Sequence, residues 1–129
     1  APYVLTSHVR DYEVWRTPRG VAVRWVPVGE GNVQIGEYLR RYVQLCPGSA
    51  LSLETIRIEP RELNCLEPDF WEAYRAVPPW EFASYLALAE RGHAPLDVES
   101  LPEDQVAIRE RQDLETSIKF CRECLGPHI

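Results

Sequence analysis

Two ionisable residues stand inside runs that otherwise read as apolar strands. His8 closes Val4-Leu5-Thr6-Ser7-His8, and Glu54 lies within Leu51-Ser52-Leu53-Glu54-Thr55-Ile56. Placing a charge in a strand interior costs free energy unless it is paired or used. The two residues are 46 positions apart, with room between them for a helical crossover. If their runs are the two strands of one βαβ unit, both residues end parallel neighbours and face one crevice. Ligands bind at that carboxyl edge in open α/β sheets and in (β/α)8 barrels. A neutral imidazole and a carboxylate from adjacent strand ends can ligate a divalent cation. The same residues also have a purely structural reading. There His8 bonds a backbone carbonyl, and Glu54 pairs with an arginine such as Arg57 or Arg10.

Other residues bear on the same crevice. Arg10 shares a strand face with His8, so it can reach an anionic or hydroxylated ligand; it can equally pair with Asp11 or Glu13. Gly29-Glu30-Gly31 precedes a helix start and offers backbone N–H groups to an anion, or simply turns the chain. Its spacing is not that of a dinucleotide loop. Trp15 and Trp25 sit on two β-rich arms. They can wall a sugar-sized pocket, or pack on one another as a cross-strand pair. Ser7 lacks the G-x-S-x-G setting of a nucleophile. Of the three histidines, His93 and His128 fall in a loop and a tail, which excludes a three-histidine site. Cys121 and Cys124 form a C-x-x-C, but Cys46 and Cys65 are no second close pair. The pattern fits Cys121 packed in a core and Cys124 partly exposed better than zinc or redox chemistry.

The elements that must position these residues follow from periodicity and turn residues. Val4 to Ser7 reads as a buried strand. Tyr12 to Thr17 and Val21 to Val28 form a hairpin around Pro18-Arg19-Gly20. Ile35, Tyr38, Leu39, Tyr42, Val43 and Cys46 make one helical stripe over residues 33–46, stopped by Pro47-Gly48. Ala50 to Ile56 is a second apolar strand, which completes a βαβ unit with parallel strands. Beyond Pro60 the pattern turns helical: Leu66 to Tyr74, then Trp80 to Arg91. Residues 93–101 read as a loop. Pro102 opens a long helix to residue 125, with Ala107, Leu114, Ile118, Cys121 and Leu125 as its apolar stripe. Residues 1–60 thus hold the strands, as a βαβ unit with a hairpin insertion. Residues 61–129 read as a helical extension packed on it within one domain.

Composition bounds the function. The chain has 129 residues, 45% hydrophobic and 26% charged, which is the balance of one ordinary globular domain. A net charge of −6 is not the footprint of a nucleic-acid or acidic-membrane binder. No apolar run reaches the length of a membrane span. Four cysteines among 129 residues are too sparse for a disulfide scaffold and point to a reducing, cytoplasmic setting. The chain contains no methionine and opens on Ala1-Pro2. This reads as a piece cut from a longer protein, or as a processed chain.

In order along the chain, His8-Val9-Arg10-Asp11, Val28-Gly29-Glu30-Gly31-Asn32-Val33 and Leu51-Ser52-Leu53-Glu54 resemble the last third of the sugar phosphate isomerase/epimerase family. That family has a xylose-isomerase-like (β/α)8 barrel. Glu67-Pro68-Asp69-Phe70-Trp71 and Arg111 to Ser117 look like its closing helices. The resemblance implies an α/β fold, about the last two strands of a barrel with a hairpin excursion and a helical C-terminal extension. It implies a divalent cation (Mn2+, Mg2+, Co2+ or Zn2+) held in part by His8 and Glu54, with Glu54 also moving a proton beside a sugar carbonyl. Arg10 stands where lysine is commoner in that pattern. The other two carboxylate ligands have no counterpart here, so the chain alone is expected to be inactive and its longer parent an isomerase or epimerase. The expected partner is a sugar or sugar phosphate, with a homo-oligomer possible. Two other readings stay open: a non-catalytic, barrel-derived interaction module, and a metal-dependent dehydratase on the same fold.

Overall fold

The computed structural model describes residues 3–56, 59–95 and 101–126. Its chain order is β1 (Thr6–Val9), β2 (Asp11–Thr17), β3 (Gly20–Val26), α1 (Ile35–Leu45), β4 (Ala50–Leu53), β5 (Arg61–Leu63), α2 (Pro79–Glu90) and α3 (Glu103–Leu125). A one-turn 3-10 helix at Pro68–Glu72 precedes α2. The result is a mixed α/β fold with two small sheets. Among the described residues the strands do not close into a barrel.

β1 and β4 pair in parallel, with His8 opposite Ser52 and Val9 opposite Leu53. The expected βαβ connection is therefore present. Its helix α1 packs by Leu39 and Tyr42, and Tyr42 Oη donates to the Ala50 carbonyl at 3.1 Å. The other half of the stripe is less covered: Tyr38 and Val43 remain exposed. The first strand departs from expectation. It begins at Thr6 rather than Val4, and Leu5 is 83% exposed. Leu5 lies before the strand, and of β1's four residues only Val9 reaches the core under α1 and α3, where it is fully buried.

β2 and β3 form the predicted hairpin, in register from Asp11↔Val26 to Thr17↔Gly20. The residues after Pro60 are not all helical. Arg61–Leu63 adds a third, antiparallel strand to β3, a segment too short for its alternation to show. α2 then packs on β2. The hairpin, β5, the 3-10 helix and α2 share a core of Val14, Val21, Cys65 and Ala89. The parallel pair, α1 and α3 share a second core of Val9, Val28, Leu39 and Cys121. Each core draws on both sides of residue 60. The 66–74 segment is one 3-10 turn rather than an α-helix, with Phe70 and Trp71 edge to face at 5.3 Å between ring centroids.

α3 has the predicted limits, and its predicted stripe is met in part: Cys121 and Leu125 pack on the core. Its buried residues are Asp113, Ser117 and Cys121, while Leu114 and Ala107 are exposed and Ile118 and Leu125 are half-buried. The reason is polar. Ser117 Oγ accepts the Val28 N–H at 2.9 Å and donates to the Asp113 carbonyl at 2.6 Å. The helix docks through a hydrogen bond to the loop after β3, which no apolar stripe can announce. No helix among the described residues is long and apolar enough to cross a membrane.

Candidate functional site

Register brings the sequence-predicted pair together. The Glu54 N–H donates to the Val9 carbonyl at 3.0 Å, extending the β1–β4 ladder one residue past Leu53. Glu54 therefore leaves the strand end beside His8 and Arg10. His8 Nδ1 lies 3.3 Å from Glu54 Oε2, and Arg10 Nη2 forms an ion pair with Glu54 Oε1. Convergence at the carboxyl edge and pairing of Glu54 with an arginine are both realised, one on each carboxylate oxygen. Arg57, the other arginine considered for Glu54, lies outside the described residues.

The electrostatics follow from this contact. Arg10, ahead of His8, holds the Glu54 carboxyl below its ordinary value, against a smaller opposing effect of burial. The same hydrogen bond raises the Arg10 guanidinium. Glu54 is thus a carboxylate at neutral pH, suited to bind a cation, and it becomes a better base only when the ion pair with Arg10 opens. The cluster is open: the His8 side chain is 66% exposed, and Arg10 and Glu54 about a third. His8 and Arg10 also border a cleft of about 430 Å³, whose far wall carries Gln34, Ile35 and Tyr38 from the start of α1. Ser7 Oγ is hydrogen-bonded to Tyr38 Oη at 2.6 Å, so Ser7 is occupied at the cleft's edge rather than beside a base.

Trp15 and Trp25 do not form one wall. Trp15 faces Ala22 and Trp25 faces Tyr12 across the hairpin. Since cross-strand partners share a face and neighbours alternate, the two indoles project from opposite faces. Trp15 is buried at 7% exposure. Trp25 belongs to the cluster instead: the Arg10 guanidinium lies 5.7 Å from its ring centroid, and the Arg61 guanidinium lies 5.5 Å from it. Sequence reasoning missed Arg61, because nothing in a three-residue strand marks which neighbour its side chain will meet.

The Gly29-Glu30-Gly31 turn does cradle an anion, but an internal one. Asp11 Oδ2 accepts the N–H groups of Gly29 at 2.8 Å and Gly31 at 3.1 Å, and Oδ1 accepts that of Tyr12 at 2.8 Å. Asp11 is 1% exposed. Burial raises its carboxyl, and the three backbone donors pull it back down. Those N–H groups are therefore spent on the protein's own carboxylate. Cys121 is buried and Cys124 half-buried, and all four thiols are free. Burial pushes the Cys121 thiol up, which disfavours the thiolate that metal or redox work needs.

As cation ligands His8 and Glu54 fit only as part of a larger set. Among the described residues no group of three or more His, Cys, Asp and Glu side chains gathers to hold a metal. Two donors leave most of a four- to six-fold coordination sphere to be filled from elsewhere. Comparison of the chain with known protein families, with curated proteins and with solved structures finds no match.

Proposed function

We propose that this chain carries the closing βαβ unit of a (β/α)8 barrel enzyme. In this reading His8, Arg10 and Glu54 form half of a site that moves a proton next to the carbonyl of a sugar or sugar phosphate. The observation that carries it is the meeting of a histidine, an arginine and an ionised carboxylate at the carboxyl edge of the parallel β1–β4 pair. Two parallel strands and two metal donors fall short of the eight strands and closed site such chemistry uses, which supports placing the remaining strands and ligands outside this chain.

Each residue has a role in this reading. Glu54 takes the proton from the carbon beside the carbonyl once Arg10 has moved off it, because release from the ion pair restores the basicity that the arginine lowers. Arg10 swings its guanidinium from Glu54 to the substrate oxygens, where it steadies the developing negative charge. His8 orients Glu54 through the 3.3 Å contact and, with it, supplies two ligands to a divalent cation. When bound, that cation polarises the carbonyl and its neighbouring hydroxyl.

Proton exchange tests this directly. The complete polypeptide, with Mn2+ in heavy water, is incubated with a panel of aldoses, ketoses and their phosphates. Deuterium incorporation beside the carbonyl is followed by NMR. Incorporation that falls at least ~100-fold in Glu54→Gln, with the fold retained, supports the reading. A folded protein that exchanges no substrate in the panel overturns it in favour of a non-catalytic module.

A further inference from the structure

Two guanidinium groups lie beside the Trp25 ring, and among the described residues only one of them is paired with a carboxylate. Arg10 and Arg61 lie 5.7 and 5.5 Å from its centroid, so the two cations are at most about 11 Å apart whichever faces they occupy. Arg10 is matched by Glu54. Arg61 is exposed, and among the described residues no carboxylate lies within ion-pair reach of it. The nearby acid Glu13 is taken by Arg24 at 3.0 Å, and it lies on the other face of the hairpin from Trp25. Arg10 also keeps an unpartnered donor, Nε, shielded from solvent. A chain of net charge −6 thus places beside the His8–Glu54 cluster an arginine that no carboxylate among the described residues neutralises. A guanidinium reads a phosphate or carboxylate through its planar fork, and contact with an aromatic ring leaves that fork free to do so.

We propose that Arg61 and Arg10, held by Trp25, form an oxyanion-binding subsite for the phosphate or carboxylate of a small ligand whose remainder lies toward His8 and Glu54. Phosphate and carboxylate share the geometry that a guanidinium reads. The proposal rests on the reading of that cluster as a ligand site, but not on proton transfer. Arg61 is the specificity residue, since Arg10 already has Glu54.

The test is binding to the 129-residue chain, with no turnover required. Indole and guanidinium signals are followed in two-dimensional NMR spectra during titration with inorganic phosphate, with acetate, and with a sugar phosphate against its neutral sugar, all at constant ionic strength. Trp25→Phe assigns the Trp25 indole. Saturable shifts at Trp25 and Arg61 with phosphate or acetate are expected, and the probe that binds tighter identifies the source of the anion. Affinity should fall about tenfold in Arg61→Gln and recover in part in Arg61→Lys, which keeps charge but not the planar fork. No saturable shift with any anionic probe overturns the subsite, as does an Arg61→Gln variant that binds as the parent does. Anion binding without proton exchange by the complete polypeptide removes the enzymatic reading and leaves the subsite standing. Exchange on neutral sugars alone, with no anion binding, does the reverse.

Discussion

His8 Nδ1 and Glu54 Oε2 meet at 3.3 Å across the end of a parallel strand pair, although 46 positions separate them in the chain. The contact exists because Val9 and Glu54 continue the β1–β4 ladder, so the register of four strand residues sets the geometry of the site. Arg10 occupies the other oxygen, and any cation entering must compete with a guanidinium already in place.

That competition makes cation binding by this chain weak. Calorimetric titration with Mn2+ should give a dissociation constant on the order of millimolar at best, weaker still in His8→Ala. Arg10→Gln should tighten it by freeing Glu54 from its ion pair. A tight one-to-one complex in the unmodified chain, lost in Glu54→Gln, would show a complete site here and defeat the half-site argument.

Asp11 gives a stability prediction with a defined sign. Its carboxylate accepts three backbone N–H bonds in a buried place. In Asp11→Asn the amide group must face at least one of those donors whichever way it is flipped. One unsatisfied buried N–H costs about 1–3 kcal/mol, to be read from urea midpoints at neutral pH. Burial raises the folded-state carboxyl above its ordinary value of 3.8, so the native state keeps a proton that the unfolded chain releases. The stabilisation is fully present below 3.8 and is lost as pH rises through the raised value. Glu37 and Glu54 are shifted down by their arginines and run the opposite way. The difference between parent and Asp11→Asn isolates Asp11: the parent's excess stability in acid should shrink with rising pH across that window. A difference that grows there contradicts the assigned direction.

The parts of the molecule legible in the sequence were those governed by backbone periodicity. The α1 stripe, the Pro18-Arg19-Gly20 turn and the limits of the last helix follow from spacing and punctuation. So does the placing of His8 and Glu54 at ends of consecutive parallel strands. What escaped was decided by side chains meeting across the fold. Trp15 and Trp25 sit on the arms as expected, yet a register of Trp15↔Ala22 and Trp25↔Tyr12 sends them to opposite faces, and register is invisible until the hairpin closes. Gly29 and Gly31 offered N–H groups as foreseen, but Asp11, eighteen and twenty positions earlier, consumes them. β5 is three residues long, below the length at which alternation can be told from chance.

Gly29 tests the turn that Asp11 holds. Its φ is +102°, a backbone region that L side chains rarely adopt, and a Cβ there would overlap the Phe120 ring of α3. Gly29→Ala therefore meets both backbone strain and a rigid aromatic. The expected loss is about 1–3 kcal/mol. Adding Phe120→Leu should recover part of it by removing the overlap but not the strain. If the double variant is no more stable than Gly29→Ala, the contact with α3 is not where the substitution acts.

The docking of α3 joins the apolar contacts of Cys121 to a buried hydrogen bond at Ser117, and this orders three substitutions in a way an apolar stripe alone would not. Ser117→Ala removes the acceptor of the buried Val28 N–H and the donor to the Asp113 carbonyl. An orphaned buried N–H should cost about 1–3 kcal/mol. Leu114→Asp places a charge at a residue already 37% exposed and should cost no more than about 1 kcal/mol. Ile118→Asp falls between solvent and the apolar groove it shares with Val43, Leu53 and Leu125, and it should lie above Leu114→Asp because it desolvates part of the new carboxylate. Thermal or urea unfolding of the three variants gives the order. Were Leu114→Asp the most damaging, the helix would be rotated so that its apolar stripe, and not the Asp113–Ser117–Cys121 face, meets the core.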